Sequence, residues 1–137
     1  LTTVPNTLSM KLQPDRPDVQ TVTAHGPGWL AVNNEKIHSS VVIGSNGERF
    51  AWDCADFSSL EARHFAQLAE LGAEMVIFGS GSRIRFPQPV WLQPLMARRI
   101  GLETMDTAAA CRTYNILAGE GRHVLAALLI EQPAAGK

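Results

Sequence analysis

The residues of this chain best suited to chemistry fall in two short clusters, Gly79-Ser80-Gly81-Ser82 and Asp106-Thr107. Glycines let a backbone approach a ligand closely, and serine hydroxyls beside them supply donors and acceptors. Asp106 or Thr107, placed ahead of a helix, would leave first-turn amides and the positive end of the helix dipole facing a small anion. Arg83 or Arg85 would add charge. As a nucleotide site the first cluster is incomplete. The third glycine of a dinucleotide fingerprint is missing, Ile84 stands in its place, and no Gly-Lys-Ser/Thr follows. The plainer account, preferred on these grounds, gives both glycines to a tight strand exit and the Thr107 hydroxyl to a helix cap.

The remaining reactive residues form no constellation. Cys54 and Cys111 have no CxxC spacing and read as reduced thiols of a core-sized domain. Cys111 shares a helix face with Ala110, Tyr114 and Leu117 and reads as a small buried hydrophobe, although Arg112 beside it keeps a reactive thiol as the minority alternative. His25, His38, His64 and His123 include no i, i+4 pair, so no metal site is expected. His64 falls on an apolar helix face. Asp53 and Asp56 precede a helix and read as capping groups. No G-x-S-x-G elbow supports a nucleophilic serine. The sequence therefore assigns no catalytic residue and no cofactor. Trp91, amid Phe86-Pro87-Gln88-Pro89-Val90, is the aromatic most suited to a protein contact, set against a slightly favoured reading in which it anchors that loop to the body.

The elements that must position these groups change period along the chain. Val19–Ala24 alternates apolar and polar residues as a half-buried strand does. Trp29–Val32 follows a Gly-Pro-Gly turn, Asn33-Asn34 suits a hairpin, and Ile37–Ile43 is β-rich and closes at Gly44. Asn46-Gly47 then marks a hairpin with Arg49–Trp52 as the return strand. At Ser58 the pattern becomes helical: Ser58 and Glu61 fit a capping box, Leu60, His64, Phe65, Leu68 and Leu71 recur at helical spacing, and Gly72 stops the run. Met75–Phe78 is a continuous apolar strand. A helix within Pro89–Ile100 follows, with Pro94 as a kink or in its first turn. Leu102–Met105 is a strand, Ala108–Ala118 a helix stopped at Gly119, and Val124–Ile130 the last strand. The order from Glu74 to Ile130 is βαβαβ, which implies parallel strands and right-handed crossovers. Both clusters should then emerge at the carboxyl ends of the strands, on one rim.

Bulk properties set the frame. The 137 residues suit one domain, taken as 19–131 between a leader (1–18) and a tail (132–137), with an apolar fraction of 45% ordinary for a globular fold. A net charge of −1 provides no broad basic field, which disfavours nucleic acid. Val124–Ile130 is far shorter than the ~20 residues that span a bilayer. No signal peptide is visible, and a cytoplasmic protein is expected.

The runs Met75–Gly81, Ile100–Thr107, Ala109–Leu117 and Glu120–Arg122, with Ile37–Gly44 and Phe50–Trp52 upstream, together resemble one family. It comprises small uncharacterised bacterial and archaeal domains and also contains a mitochondrial assembly factor for respiratory complex I. The resemblance covers about Val19 to Ile130. It implies a three-layer α/β fold, a mixed central sheet with an additional N-terminal β-hairpin layer, and no established enzyme activity. For the mitochondrial members it implies a non-catalytic role, binding partners while the NADH:ubiquinone oxidoreductase is assembled. The expectation is thus an interaction or assembly protein with protein partners, including respiratory complex assembly components. The alternative is a binder of a small anionic ligand at Gly79, Ser80, Gly81, Ser82, Asp106 and Thr107. An enzyme using Cys111 or Thr107 ranks last.

Overall fold

A computed structural model of the chain describes residues 19–133; the expected leader and the residues after Pro133 lie outside that range. Eight strands and three α-helices are present among the described residues: β1 (Val22–Gly26), β2 (Trp29–Val32), β3 (Glu35–Ile37), β4 (Val41–Gly44), β5 (Arg49–Ala51), α1 (Ala62–Ala69), β6 (Met75–Gly79), α2 (Gln93–Ala97), β7 (Gly101–Met105), α3 (Thr107–Gly119) and β8 (Val124–Leu128). Strands β1-β2-β3 form an antiparallel sheet, and the central sheet has the order β5-β4-β8-β6-β7. Within it β8, β6 and β7 run parallel, while β4 runs antiparallel to both of its neighbours, β8 and β5. The βαβαβ run is therefore present, and the sheet is mixed, as the fold expectation had it.

Side-chain alternation sorts the central sheet onto two cores. Val42, Val76, Phe78, Leu125, Ala127 and Leu129 face α1 and α2, together with Trp52, Phe65 and Leu68. Val41, Ile43, Ile77, Val124, Ala126 and Leu128 face the other way, toward Ala110, Cys111 and Tyr114 of α3 and toward Leu30 and Val32 of the small sheet. This makes three layers: α1 and α2, the central sheet, then α3 with the β1–β3 sheet. Strands β6 and β8 are covered on both faces, which explains why their sequences are continuous apolar runs. Each large apolar side chain fully buried here, such as Phe65 or Phe78, contributes roughly 1.5–3 kcal/mol.

Helix α3 also clasps the small sheet. Asn115 donates through Nδ2 to the Val22 carbonyl and accepts the Val22 amide, both at 2.9 Å, and Tyr114 donates its hydroxyl to the Gln20 carbonyl at 2.8 Å.

Four local readings need correction. The β-rich run Ile37–Ile43 is not one strand: β3 ends at Ile37, β4 starts at Val41, and the two belong to different sheets. Ser40 makes the change of sheet possible, because its hydroxyl accepts the Ile130 amide at 3.0 Å and its carbonyl accepts the Trp52 amide at 2.9 Å. The first strand starts at Val22 rather than Val19, since the buried Gln20 side chain is spent on the Gly44 and Glu48 carbonyls. The Ser58–Glu61 capping box does not form. Instead Asp56 caps a 3-10 turn over Phe57–Ser59, and α1 starts afterwards with Glu61 as its N-cap, whose amide donates to His64 Nδ1 at 2.9 Å. Finally Gln132, expected to open the tail, is pinned by its Nε2 to the Gly28 and His38 carbonyls. Pro94 lies in the first turn of α2, after a 3-10 turn over Pro89–Leu92.

Candidate functional site

Strands β6 and β7 end side by side, so the turn after Gly79 and the start of α3 share one rim. The Ser80 amide donates to the Met105 carbonyl at 2.9 Å and the Thr107 amide to the Gly81 carbonyl at 2.8 Å. The two sequence clusters are thus in direct contact. Together with the β1–β2 turn (His25 to Trp29) and the chain after β8 (Leu129 to Pro133) they enclose a cleft of about 570 Å³. Gly81, Ser82, Asp106 and Thr107 line it; Gly79 and Ser80 sit behind it.

Most polar atoms of the rim are already spent on the fold. Thr107 Oγ1 accepts the Gly81 amide at 2.9 Å and donates to the Leu129 carbonyl at 2.8 Å, so it ties three strand ends together. Ser80, wholly buried, donates its hydroxyl to the Arg83 carbonyl at 2.8 Å and accepts the Arg85 amide at 2.9 Å. At the start of α3, the Asp106 carboxylate accepts the Ala109 amide at 2.8 Å and its carbonyl accepts the Ala110 amide at 2.9 Å. Little of the first turn is left for an external anion. Moreover, two carboxylates, Asp106 and Glu131, stand in the lining. The anion anticipated from the helix dipole therefore meets an N-terminus largely satisfied by its own chain.

The glycines serve close packing. A Cβ on Gly79 would lie 3.0 Å from the Thr107 Cα and 3.1 Å from the Ala110 Cβ, so its absence seats α3 on β6. Gly81 has φ +104°, and a Cβ there would meet Glu131 Oε1 at 2.4 Å and Arg85 Nη2 at 2.5 Å.

Arg85 and Glu131 form the charged brace of the rim. The guanidinium donates to both Glu131 oxygens and to the Ser80 carbonyl, each at 2.7 Å, and lies over the Phe57 ring. Glu131 also accepts the Phe57 amide at 3.0 Å. Neither this brace nor the β1–β2 wall was visible in the sequence. Glu131 follows an apolar strand with no local pattern to mark it, and its partner lies 46 residues away.

The other candidates are dispersed. Burial pushes the thiols of Cys54 and Cys111 up to about 12, and Arg112, which acts to lower the Cys111 value, does not offset that. Such thiols are poor nucleophiles at neutral pH. His64 is buried in the α1 core, accepting at Nδ1 from the Glu61 amide, with Nε2 2.6 Å from the Asp53 carbonyl, so both ring nitrogens are engaged by the backbone. Asp56 is held below the usual carboxylate range by hydrogen bonds from Ser59 and Ser58, consistent with capping. Among the described residues no group of three or more His, Cys, Asp or Glu could hold a metal ion, and no helix is long and apolar enough to cross a membrane. Trp91 stacks on Phe65 at 5.9 Å and packs against the α1 core, so the ring anchors its loop. The exposed aromatic of that segment is its neighbour Phe86.

Comparison with known proteins places this arrangement. A crystal structure from Bordetella parapertussis superposes with a TM-score of 0.78 at 37% identity, covering 82% of this chain and 97% of that one. The solution structure of a Mth938-like domain from Bordetella pertussis gives 0.78 at 30% identity, over 92% and 96% of the two chains. Among curated relatives, the bovine NADH dehydrogenase (ubiquinone) 1 alpha subcomplex assembly factor 3 is 27% identical over 86% of this chain and 65% of its own length. The human protein of the same name is 42% identical over 45% of this chain and 34% of its own. The chain spans less than two thirds of the length of these curated relatives. Residues 22–129 match the profile of the family described as protein of unknown function (DUF498/DUF598), and to that family, with its Mth938-like fold, the chain belongs.

Proposed function

We propose that this chain is a non-catalytic assembly factor that holds protein partners while a respiratory NADH dehydrogenase is put together. The observation that carries this reading is kinship with relatives named as assembly factors for that enzyme. The geometry supports it from another side. Ser80, Thr107, Cys111 and His64, the groups with reactive potential, are each engaged in holding strand ends or filling a core. The test is deletion of the coding sequence in the native cell, followed by separation of respiratory complexes on native gels. The expected result is loss of mature NADH dehydrogenase with build-up of subcomplexes, and recovery of its subunits with a tagged copy. Unchanged amounts of mature enzyme and no recovered subunits would sink the reading.

A second reading rests on the cleft alone. Its volume, about 570 Å³, suits a small molecule, and Pro27, Trp29, Ile130 and Pro133 give it apolar walls. With Asp106 and the Arg85-paired Glu131 in the lining, a neutral or cationic ligand fits better than an anion. A melting screen separates the cases, because a ligand at ~100 times its Kd adds about 2.7 kcal/mol. Stabilisation by phosphates would restore the anionic ligand, stabilisation by amines would support the cationic one, and no shift from either removes the reading.

A further inference from the structure

The central sheet ends at one side in β7, which is paired to β6 alone. The Gly101 amide and the Met105 carbonyl both point to the β6 side, bonding the Glu74 carbonyl and the Ser80 amide. By strand alternation, the N–H and C=O groups of Leu102 and Thr104 face outward. None of the four has a partner among the described residues. The register along β6 runs without a bulge from Gly101 to Met105. The opposite edge, β5, is shorter at three residues, and its Arg49 is tied to Glu35 of the small sheet. An open edge of regular register is a template for another strand unless charge, proline or a bulge blocks it; β7 carries no proline or bulge, and its one charged residue is the exposed Glu103, midway between Leu102 and Thr104.

The chain leading from β6 into β7 adds a second signal. Four of the five exposed large hydrophobics of the described residues lie there: Ile84, Phe86, Val90 and Met96, between 49% and 70% exposed. From Ser80 to Leu102 the sequence holds arginines and no carboxylate. Arg85 and Arg98 have acidic partners, Glu131 and Glu70, whereas Arg83 and Arg99 have none among the described residues. Arg83 stays at the carboxyl end of β7, because its carbonyl accepts from Ser80, which is bonded to Met105. Arg99 immediately precedes Ile100 at the amino end. Unpaired cations thus flank the open edge at both ends.

We infer that β7 is a docking edge for an extended peptide of a protein partner, apolar in its middle and acidic at its ends, which adds to the central sheet as a sixth strand. Main-chain bonds to Leu102 and Thr104 supply affinity, and the two arginines select the acidic flanks. The inference rests on the protein-binding reading above and names the chemistry of the partner.

The probe is a pair of fluorescent peptides in which valine and threonine alternate, one ending in paired aspartates and the other in paired lysines. The expected result is saturable binding of the aspartate peptide, with the Leu102 and Thr104 amides shifted and slowed in hydrogen exchange, and binding of the lysine peptide about tenfold weaker or less. Thr104→Pro removes an outward donor while leaving the β6 ladder intact and should abolish binding. Arg83→Glu combined with Arg99→Asn, which tolerates the φ of +58° at position 99, should remove the preference. If Thr104→Pro does not fold, the exchange measurement on the unaltered chain decides. No binding, equal binding of both peptides, or binding that leaves the β7 amides unchanged would overturn the inference. So would binding only to phosphatidylglycerol vesicles, or self-association through β7. Should the peptides fail while a Thr104→Pro chain still recovers NADH dehydrogenase subunits, the docking edge falls and the assembly reading stands.

Discussion

The turn at Gly79 to Ser82 and the segment Ile84 to Met96 are consecutive in the chain yet organised in opposite ways. In the first, nearly every polar atom is turned inward: Ser80 is wholly buried, and its hydroxyl joins Arg83 and Arg85. In the second, Trp91 turns in to stack on Phe65 and Leu95 is buried beside it, while Ile84, Phe86, Val90 and Met96 are left in water. A polar-looking motif has become architecture, and a proline-rich connection has become the unfinished surface. The difference teaches that residue type points to function only through what is left unsatisfied after folding.

Substitutions can break that contrast. The largest effect should come from Gly81→Val, which forces a β-branched residue to φ +104° and drives its Cβ into Glu131 and Arg85. A loss of about 3–5 kcal/mol is expected in denaturant unfolding, and a loss below 1 kcal/mol would mean the turn is not the brace described. Trp91→Ala removes a half-buried stacked ring and should cost roughly 2–3 kcal/mol; a neutral result would return Trp91 to the list of surface contacts. Ser80→Ala leaves the Arg85 amide without its acceptor and should cost about 1–2 kcal/mol by the same measurement. Smallest of all, Phe86→Ser should change stability by no more than about 0.5 kcal/mol, although Phe86 is 70% exposed and the largest apolar group on that surface. A large loss there would show that Phe86 is part of the core.

Much of the carboxyl half was legible in the sequence. Met75–Phe78, closed by Gly79, and Val124–Ile130 are continuous apolar runs, a pattern that demands burial on both faces, and Asp106 stands where a cap must be. The shared rim followed from parallel strand order. The amino half was harder to read because its strands are short and change sheet: nothing in Ile37–Ile43 announces that the chain leaves one sheet at His38 and enters another at Val41. The helix start was displaced because Ser58 and Glu61 have the spacing of a box, yet Asp56 competes for the same serines and His64 for the Glu61 amide. The Arg85–Glu131 brace joins residues far apart in sequence, and only tertiary structure could reveal it.

The strand order carries a consequence for biosynthesis. β8, the last strand among the described residues to leave the ribosome, occupies the middle of the central sheet, between β4 and β6. Until it is made, the β4–β5 hairpin and the β6–β7 pair share no backbone bonds, and each presents a raw margin to the cell. The domain is therefore completed by insertion of a wedge into a waiting gap, so release or trimming of nascent chains before residue 124 should yield two unjoined halves and a substrate for proteolysis.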